Sequence, residues 1–319
     1  WPQWRGPNRD NVSSEKGLLK EWPEGGPPLI WRVNGLGDGV APVTIGDGRI
    51  FSTGLYETTE YVRALNEDTG EPLWSAMLGP NMPQHPLMRW LTQRSPTLDG
   101  DRLYAVSLLG ELVCLKARDG QELWRKNYLK DFAGKHAQVG YSDCPLVDGD
   151  KLICRPGGPD ASVVALDKRT GAVLWKCAVT EGGYASYANG VLTTIAGQRQ
   201  FVVFLEGALV GISIDDGRLL WRRDCSEHES YYQMHTPFVR DGFITCITCI
   251  NGRPGAIVRL EVTCDNDLFT VNEVYQQSTA SFSIFNDDTV LLGDRLYEFS
   301  KGISRCFDVK TGGEIWRKR

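Results

Sequence analysis

A glycine followed four residues later by a tryptophan recurs through the chain at nearly constant spacing. The five pairs are Gly70 and Trp74, Gly120 and Trp124, Gly171 and Trp175, Gly217 and Trp221, and Gly312 and Trp316. Successive tryptophans are 50, 51 and 46 residues apart, and the last step of 95 residues equals two such periods. Trp31 precedes Trp74 by 43 residues and fits as a sixth member. A period of this length indicates a repeat architecture.

Each period carries the pattern of a β-hairpin. An alternating apolar run leads into a polar turn with Asp or Thr before Gly, and a short run ending in Trp follows, as in residues 163–175. Gly supplies the positive φ of the turn, and Asp and Thr side chains hydrogen-bond its backbone. A small residue stands ten positions before each Trp, which predicts close packing of a neighbouring sheet; these residues are Ala64, Cys114, Ala165, Gly211 and Cys306.

Further Asp-Gly turns upstream of the hairpins bring each period to about four short strands, and no segment predicts a helix longer than two turns. Repeated four-stranded units predict an all-β fold, a β-propeller with six visible repeats. Independent β-sandwiches would not require one Trp at one phase of every period. We expect an extended N-terminal segment over residues 1–28 and a single propeller domain over residues 29–319.

The residues from Ala165 to Trp175 resemble the tryptophan-docking motif of pyrroloquinoline-quinone-type (PQQ-like) propeller repeats, and those from Ala64 to Trp74 are close to it. The missing copy falls near residues 258–275, where Tyr275 is expected in the Trp position. Under this resemblance the structural Trp residues are Trp31, Trp74, Trp124, Trp175, Trp221 and Trp316.

The resemblance also implies eight blades, whereas the stretch from Trp31 to Trp316 holds only six periods. Either the ring closes with six or seven blades, or about two blades lie beyond Arg319. An N-terminal strand that joins C-terminal strands is the expected clasp, because it removes two exposed edges.

Charge and composition exclude several classes of function. The 35 basic and 40 acidic residues give a net charge of −5 without a run of Lys or Arg, which argues against a nucleic-acid partner. The oily runs are strand-sized, so the chain is not expected to span a membrane. A start at Trp1 without Met fits a removed targeting segment or a trimmed chain, and we favour export. The opening residues 1–7 resemble exported bacterial members of this superfamily, which implies a periplasmic or secreted protein of the cell envelope.

The connections between consecutive blades are long and carry all four His residues. They predict a binding surface at the channel mouth, where loops on a rigid scaffold present aromatic and polar side chains. The candidate residues are His85, Trp90, Arg94, His136, Tyr141, Asp143, Tyr187, Tyr232 and His235. Long loops also collect such residues without any binding role, and no two His stand at ligand spacing on one element, so no metal site is predicted.

The alternative is a quinoprotein-like oxidoreductase, a PQQ-dependent dehydrogenase of an alcohol or sugar. The resemblance implies for such enzymes a disulfide between adjacent Cys and a Glu, Asn and Asp group around Ca²⁺. The sequence has no Cys-Cys pair, and Cys246 and Cys249 sit in an apolar strand, where buried thiols are expected. Common hydrolase and phosphate-loop motifs are also missing. The sequence therefore favours a non-catalytic scaffold without cofactor, similar in type to the propeller subunit of bacterial outer-membrane protein assembly, with a protein or peptide partner.

Overall fold

The computed structural model describes residues 1–39, 41–81, 94–136, 139–225, 235–250, 253–278, 289–300 and 302–319. Within these residues the chain forms six four-stranded antiparallel sheets, and in each sheet the strands follow one another in sequence order. The predicted all-β propeller is confirmed, and each sheet is one blade.

The blades occupy consecutive parts of the chain. Blade 1 contains β1 Thr44–Gly46, β2 Arg49–Tyr56, β3 Thr59–Asn66 and β4 Pro72–Pro80. Blade 2 contains β5 Thr97–Asp99, β6 Arg102–Val106, β7 Glu111–Lys116 and β8 Glu122–Asn127. Helix α1 spans Tyr128–Phe132, a single turn, which is shorter than the two-turn limit that the sequence predicts. Blade 3 contains β9 Leu146–Asp148, β10 Lys151–Cys154, β11 Val163–Asp167 and β12 Val173–Cys177.

The remaining three blades complete the series. Blade 4 contains β13 Val191–Ile195, β14 Gln198–Phe204, β15 Ala208–Ser213 and β16 Leu219–Asp224. Blade 5 contains β17 Phe238–Arg240, β18 Phe243–Ile250, β19 Arg253–Asp265 and β20 Leu268–Ser278. Blade 6 contains β21 Thr289–Leu292, β22 Arg295–Ser300, β23 Ile303–Asp308 and β24 Glu314–Lys318.

The hydrophobic core is divided among the spaces between neighbouring blades. Val163 and Ala165 of β11 pack against blade 4, whereas Val164 and Leu166 of the same strand pack against blade 2. Successive side chains of a strand point to opposite faces, so a strand covered on both sides must be apolar throughout. This arrangement explains why strands that are covered on both faces lack the alternation of apolar and polar residues found in a half-exposed sheet.

The turn between the third and fourth strands is built around one acidic or amide side chain. In blade 3 the Asp167 carboxylate accepts hydrogen bonds from the backbone N–H groups of Arg169 and Thr170, at 3.0 and 2.8 Å. The Thr170 hydroxyl donates to the same carboxylate at 2.8 Å, and this bond holds the pKa of Asp167 below its ordinary value. Gly171 closes the turn with a φ of +72°.

A tryptophan, or in one case a tyrosine, from the chain that precedes the blade covers each such turn. The indole Nε1 of Trp124 in blade 2 donates to the Lys168 carbonyl of blade 3 at 3.2 Å, and a Cβ added to Gly171 would lie 2.9 Å from the Trp124 ring. Trp31, Trp74, Trp175 and Tyr275 make the same pair of contacts with the turns of blades 1, 2, 4 and 6. Tyr275 thus occupies the position in which the repeat predicts a Trp.

Two of the tryptophans behave differently. Blade 5 joins β19 to β20 through Asn266 and Asp267 and lacks the Thr-Gly turn, so Trp221 donates instead to Gln200 of its own blade at 2.6 Å. Trp316 in the outer strand of blade 6 is 36% exposed.

The small residue before each Trp also lies opposite the Trp of its own sheet. Ala64, Cys114, Ala165, Gly211 and Cys306 are the cross-strand partners of the Trp residues of their own blades. A Cβ added to Gly211 would lie 2.1 Å from the Trp221 indole nitrogen. The indole of the same sheet therefore limits the size of residue 211, while Ala64 and Ala165 also pack against the next blade.

Candidate binding face and central channel

The loops that join one blade to the next lie on the same face of the propeller as the loops between second and third strands. We call this face the loop face and define it by the connections that follow β4, β8, β12 and β16. The candidate residues Arg94, His136, Tyr141, Asp143, Tyr187 and His235 are described on it. The candidates His85, Trp90 and Tyr232 lie outside the described residues.

Arg94 forms a buried ion pair with a residue that the sequence analysis did not select. Its guanidinium lies 2.6 Å from the Glu60 carboxylate, and these side chains are 1% and 0% exposed. Arg94 also donates to the carbonyls of Val106 and Tyr141, at 2.9 Å each, and Glu60 accepts from Asn81 at 2.5 Å. This cluster ties blade 1 to blade 2 and to the connection that leads into blade 3.

Asp143 belongs to a second buried cluster. Its carboxylate accepts from the Tyr128 hydroxyl at 2.7 Å and from the side chain of Arg155 at 2.9 Å. Arg155 reaches on to Asn189 at 3.2 Å, and Asn189 accepts from the Cys144 amide at 3.0 Å. The cluster therefore links the end of blade 2 and the β10–β11 loop of blade 3 to the entry of blade 4.

Tyr141 connects the two clusters. Its carbonyl accepts from Arg94, its hydroxyl donates to the Pro156 carbonyl at 2.9 Å, and its ring meets that of Tyr128 edge-on at 5.1 Å. The His136 ring packs against Tyr141 at the same centroid distance, and His136 forms an isolated parallel bridge with Ala185.

The other two candidates lie to the side of these clusters. Tyr187 is 8% exposed, and its hydroxyl accepts from the Val139 amide at 2.9 Å. His235 is 2% exposed at the entry to blade 5. The structure thus brings Arg94, His136, Tyr141 and Asp143 together, but it uses most of their polar groups to join blades.

The titratable groups of the clusters are held in their neutral or paired forms. Burial raises the pKa of Tyr128 well above its ordinary value, with a further contribution from the Asp143 charge. Burial also raises the pKa of Tyr141 and of the Cys154 thiol. These groups remain protonated at neutral pH and act as hydrogen-bond donors rather than as bases or nucleophiles.

Sequence reasoning missed Glu60, Arg155 and Asn189. A signal existed for Glu60, because Glu60, Val62 and Ala64 alternate on one face of β3 and all three are fully buried. A carboxylate on the apolar face of a strand requires a buried partner. Nothing local in the sequence identifies Arg155 or Asn189.

The central channel contains residues 1–11 of the chain. Arg9 is 3% exposed there and donates to the carbonyls of Cys144 and Pro145, at 2.8 Å each. A cavity of about 300 Å³ lies beside this segment, against the first strands of blades 4, 5 and 6. Arg9 and Arg240 are among its lining residues.

The described residues do not fit the calcium and quinone site that the resemblance implies for dehydrogenases. No three His, Cys, Asp or Glu side chains in the described part of the chain come together as a metal-binding group. The buried carboxylates Glu60 and Asp143 are neutralised by arginines instead. Cys114, Cys246 and Cys306 are buried, as the sequence predicts.

The fold and its repeats define the class of this protein: a β-propeller built from PQQ-like repeats. The chain belongs to the family described as outer membrane protein assembly factor BamB, whose model matches residues 58–318. The predicted family resemblance is confirmed. In the part of the chain that the structure describes, no helix is long and apolar enough to cross a membrane.

Curated relatives carry the same description. The outer membrane protein assembly factor BamB of Xanthomonas campestris pv. campestris is 29% identical over 224 residues, which are 69% of this chain and 47% of the relative. That of Burkholderia pseudomallei is 33% identical over 116 residues, which are 35% of this chain and 26% of the relative. The chain thus spans less than half the length of the curated relatives it matches.

Solved structures share the fold at low identity. BamB from Moraxella catarrhalis superposes with a TM-score of 0.53 at 16% identity, covering 87% of this chain and 72% of that one. Quinohemoprotein alcohol dehydrogenase from Comamonas testosteroni superposes with a TM-score of 0.59 at 13% identity, covering 86% and 58%. BamB and an alcohol dehydrogenase thus share this architecture, so the architecture alone does not indicate the function.

Proposed function

We propose that this chain is a non-catalytic propeller scaffold of the bacterial cell envelope that acts in the periplasm and binds a protein or peptide partner in outer-membrane protein assembly. The partner class follows from the description of the family and of the curated relatives. The repeated contacts between Trp or Tyr and the next turn serve, in this proposal, as the tryptophan-docking motif of the PQQ-like repeat.

The observation that carries the proposal is how the loop face uses its charged side chains. Arg94 and Asp143 are bound to Glu60 and Arg155 between blades, and they are not directed into an open pocket. A catalytic site needs such groups available to a substrate. Groups that are paired and buried instead hold the loops in place, which suits a scaffold that presents a fixed surface to a partner.

The proposed partner surface surrounds His136 and Tyr184. Tyr184 is 36% exposed, and the ammonium group of Lys135 lies 4.8 Å from the centre of its ring. Tyr187 packs beside this surface, and His85, Trp90 and Tyr232 remain predicted members of it. Exposed aromatic side chains next to basic groups are typical of interface anchors.

Site-specific photo-crosslinking tests this surface. A photoreactive amino acid at position 184 is expected to give an adduct with a component of outer-membrane protein assembly in cells that produce the chain. The matched control is position 101, an exposed aspartate in the β5–β6 turn on the opposite face. Equal adducts from both positions, or none from position 184, would contradict the proposed surface.

A second measurement separates the scaffold from the enzyme. The purified chain is titrated with pyrroloquinoline quinone and Ca²⁺ while its melting temperature is followed. We expect no saturable shift, because the described residues offer no fitting donor set. A saturable shift would favour the dehydrogenase.

A further inference from the structure

Residues 1–11 contact the inner strand, or the residue just before it, in every blade. From blade 1 to blade 6 the contacted residues are Ile45, Leu98, Pro145, Gly190, Phe238 and Thr289. A strand within one blade cannot contact all six blades, because each blade packs only against the blades beside it. A segment inside the channel can contact all six blades.

The first part of the segment binds blades 1 and 2 through its backbone. The Trp1 carbonyl accepts from the Ile45 amide at 2.9 Å, and the Pro2 carbonyl accepts from the Leu98 amide at 2.7 Å. Both amides belong to first strands, β1 and β5, so the segment satisfies inner-strand donors that face the channel.

Arg9 occupies a socket made of backbone carbonyls from blades 3 and 4. Its guanidinium donates to the carbonyls of Cys144, Pro145 and Gly190, at 2.8, 2.8 and 3.2 Å. Its Nε donates to the Gln3 side chain at 3.1 Å, which fixes its orientation. Burial lowers the pKa of Arg9 to about 10 because the site disfavours the charged form, and the carbonyl contacts offset this cost.

Arg5 occupies a second socket at blades 5 and 6. Its guanidinium donates to the Thr289 carbonyl at 2.6 Å and lies 5.1 Å from the centre of the Phe238 ring. Arg5 and Arg9 are both 3% exposed. The backbone of the segment thus binds blades 1 and 2, the Arg9 guanidinium binds blades 3 and 4, and the Arg5 guanidinium binds blades 5 and 6.

The backbone of the segment contains three non-glycine residues in the left-handed conformation. Arg5, Arg9 and Asn11 all have positive φ, of 60°, 56° and 61°. Non-glycine residues rarely adopt this conformation, and a run of them persists only where surrounding contacts impose it. Hydrogen bonds within the segment and the contacts of Arg5 and Arg9 with the channel wall together hold this conformation.

From these contacts we propose that the inner wall of the channel is a peptide-binding site for an arginine-bearing segment, that residues 1–11 fill it, and that its two guanidinium sockets lock the six blades together. The stretch that follows is exposed from residue 13 to residue 25, so the bound segment is joined to the propeller by a solvent-facing tether. A cut in the tether leaves every contact of the segment intact.

A nicking experiment on the full chain tests this site. A recognition sequence for a specific protease is inserted after Lys16 and cut in the folded protein, which is then passed through gel filtration and examined by mass spectrometry. We expect the fragment to elute with the propeller and the nicked protein to melt within a few degrees of the intact one. A fragment that separates while the propeller keeps its melting temperature would overturn the proposal.

Substitutions in the nicked protein locate the binding. Arg9→Met is expected to release the fragment at least tenfold faster than the unsubstituted nicked protein. Arg9→Lys keeps the charge but loses the planar guanidinium, so its release rate is expected to lie between those two rates. Arg32→Met, at an exposed position beyond the tether, is the matched control and should release it at the unsubstituted rate. Equal release rates for Arg9→Met and Arg32→Met would refute the proposed Arg9 socket. If one variant does not fold, retention of the fragment by the unsubstituted nicked protein still tests the binding site.

Discussion

Two separate constraints, the backbone conformation and the space beside Cα, require glycine at single positions of this protein. Gly149 and Gly171 both have positive φ in blade 3, at 56° and 72°. A Cβ at Gly149 would meet open space, whereas a Cβ at Gly171 would meet the Trp124 ring at 2.9 Å. The backbone conformation requires glycine at both turns, but the neighbouring blade requires it only at the second.

This contrast predicts the cost of adding one methyl group. Gly149→Ala is expected to lose about 1–2 kcal/mol of unfolding free energy from the left-handed backbone alone. Gly171→Ala should lose a further ~1–3 kcal/mol because the Trp124 ring must shift. Denaturant unfolding of both variants measures the difference, and equal losses would contradict the contact between the blades.

The same turn has a predictable response to acid. The Thr170 hydroxyl is the main cause that lowers the pKa of Asp167 from 3.8. Stabilisation by a carboxylate with a depressed folded-state pKa is complete above its unfolded-state pKa and is lost as the pH falls through the folded value. Asp167→Asn should therefore destabilise the chain most above about pH 5 and progressively less in acid.

Unfolding curves between about pH 2.5 and pH 7 for the wild type and Asp167→Asn test this sign. Blade 1 shows that an amide can occupy the position, because Asn66 accepts the same three hydrogen bonds. The loss at neutral pH should accordingly be below about 1 kcal/mol. A destabilisation that grows as the pH falls would contradict the assignment.

At the level of strands and blades, the tryptophans are the parts that join one repeat to the next. Trp175 is 8% exposed, packs on Gly217 of blade 4 and donates to the Ile214 carbonyl at 3.0 Å. Trp316 has the same place in its own blade but is 36% exposed. The same local sequence pattern therefore places one Trp side chain in a buried contact between blades and another at a part-exposed position.

Truncating these two side chains should separate the contribution of the contact. Trp175→Ala is expected to cost about 3–5 kcal/mol, since it empties a buried space between blades. Trp316→Ala should cost less than about 1 kcal/mol, because its ring is already part-solvated. Chemical denaturation gives both values, and a loss below about 1 kcal/mol for Trp175→Ala would contradict the packing.

Across the molecule, buried charge holds distant segments in register. Glu60 and Arg94 are 34 residues apart in sequence and join blade 1 to the connections around blade 2. Tyr141 carries this cluster on to Asp143 and Arg155. The loop face is thus fixed by a chain of polar contacts that crosses four blades.

Removing one partner of the buried pair should be costly for the whole propeller. Glu60→Gln leaves the Arg94 charge buried without its carboxylate and is expected to cost about 3–5 kcal/mol. The control is Glu122→Gln, which breaks an exposed pair with Arg125 at 2.7 Å and should cost less than about 1 kcal/mol. Thermal and denaturant unfolding measure both, and similar losses would show that the pair has no special role.

Much of the architecture could be predicted because it is encoded within single repeats. A turn, its glycine and its tryptophan lie within a few residues of one another, and their recurrence gave the all-β propeller and the unusual position of Tyr275. Local repetition could not show that Trp221 bonds within its own blade, since that depends on the turn that blade 5 lacks.

The repeats therefore settled the fold class, the blade pattern and the family, because short-range turn chemistry and strand periodicity are properties of neighbouring residues. Only the tertiary structure decided that Arg94 and Asp143 are buried in ion pairs and that residues 1–11 fill the channel. Those contacts join residues that are 12 to 284 positions apart in sequence. Which charge meets which, and which carbonyl lacks a donor, becomes defined only when the blades have come together around their axis.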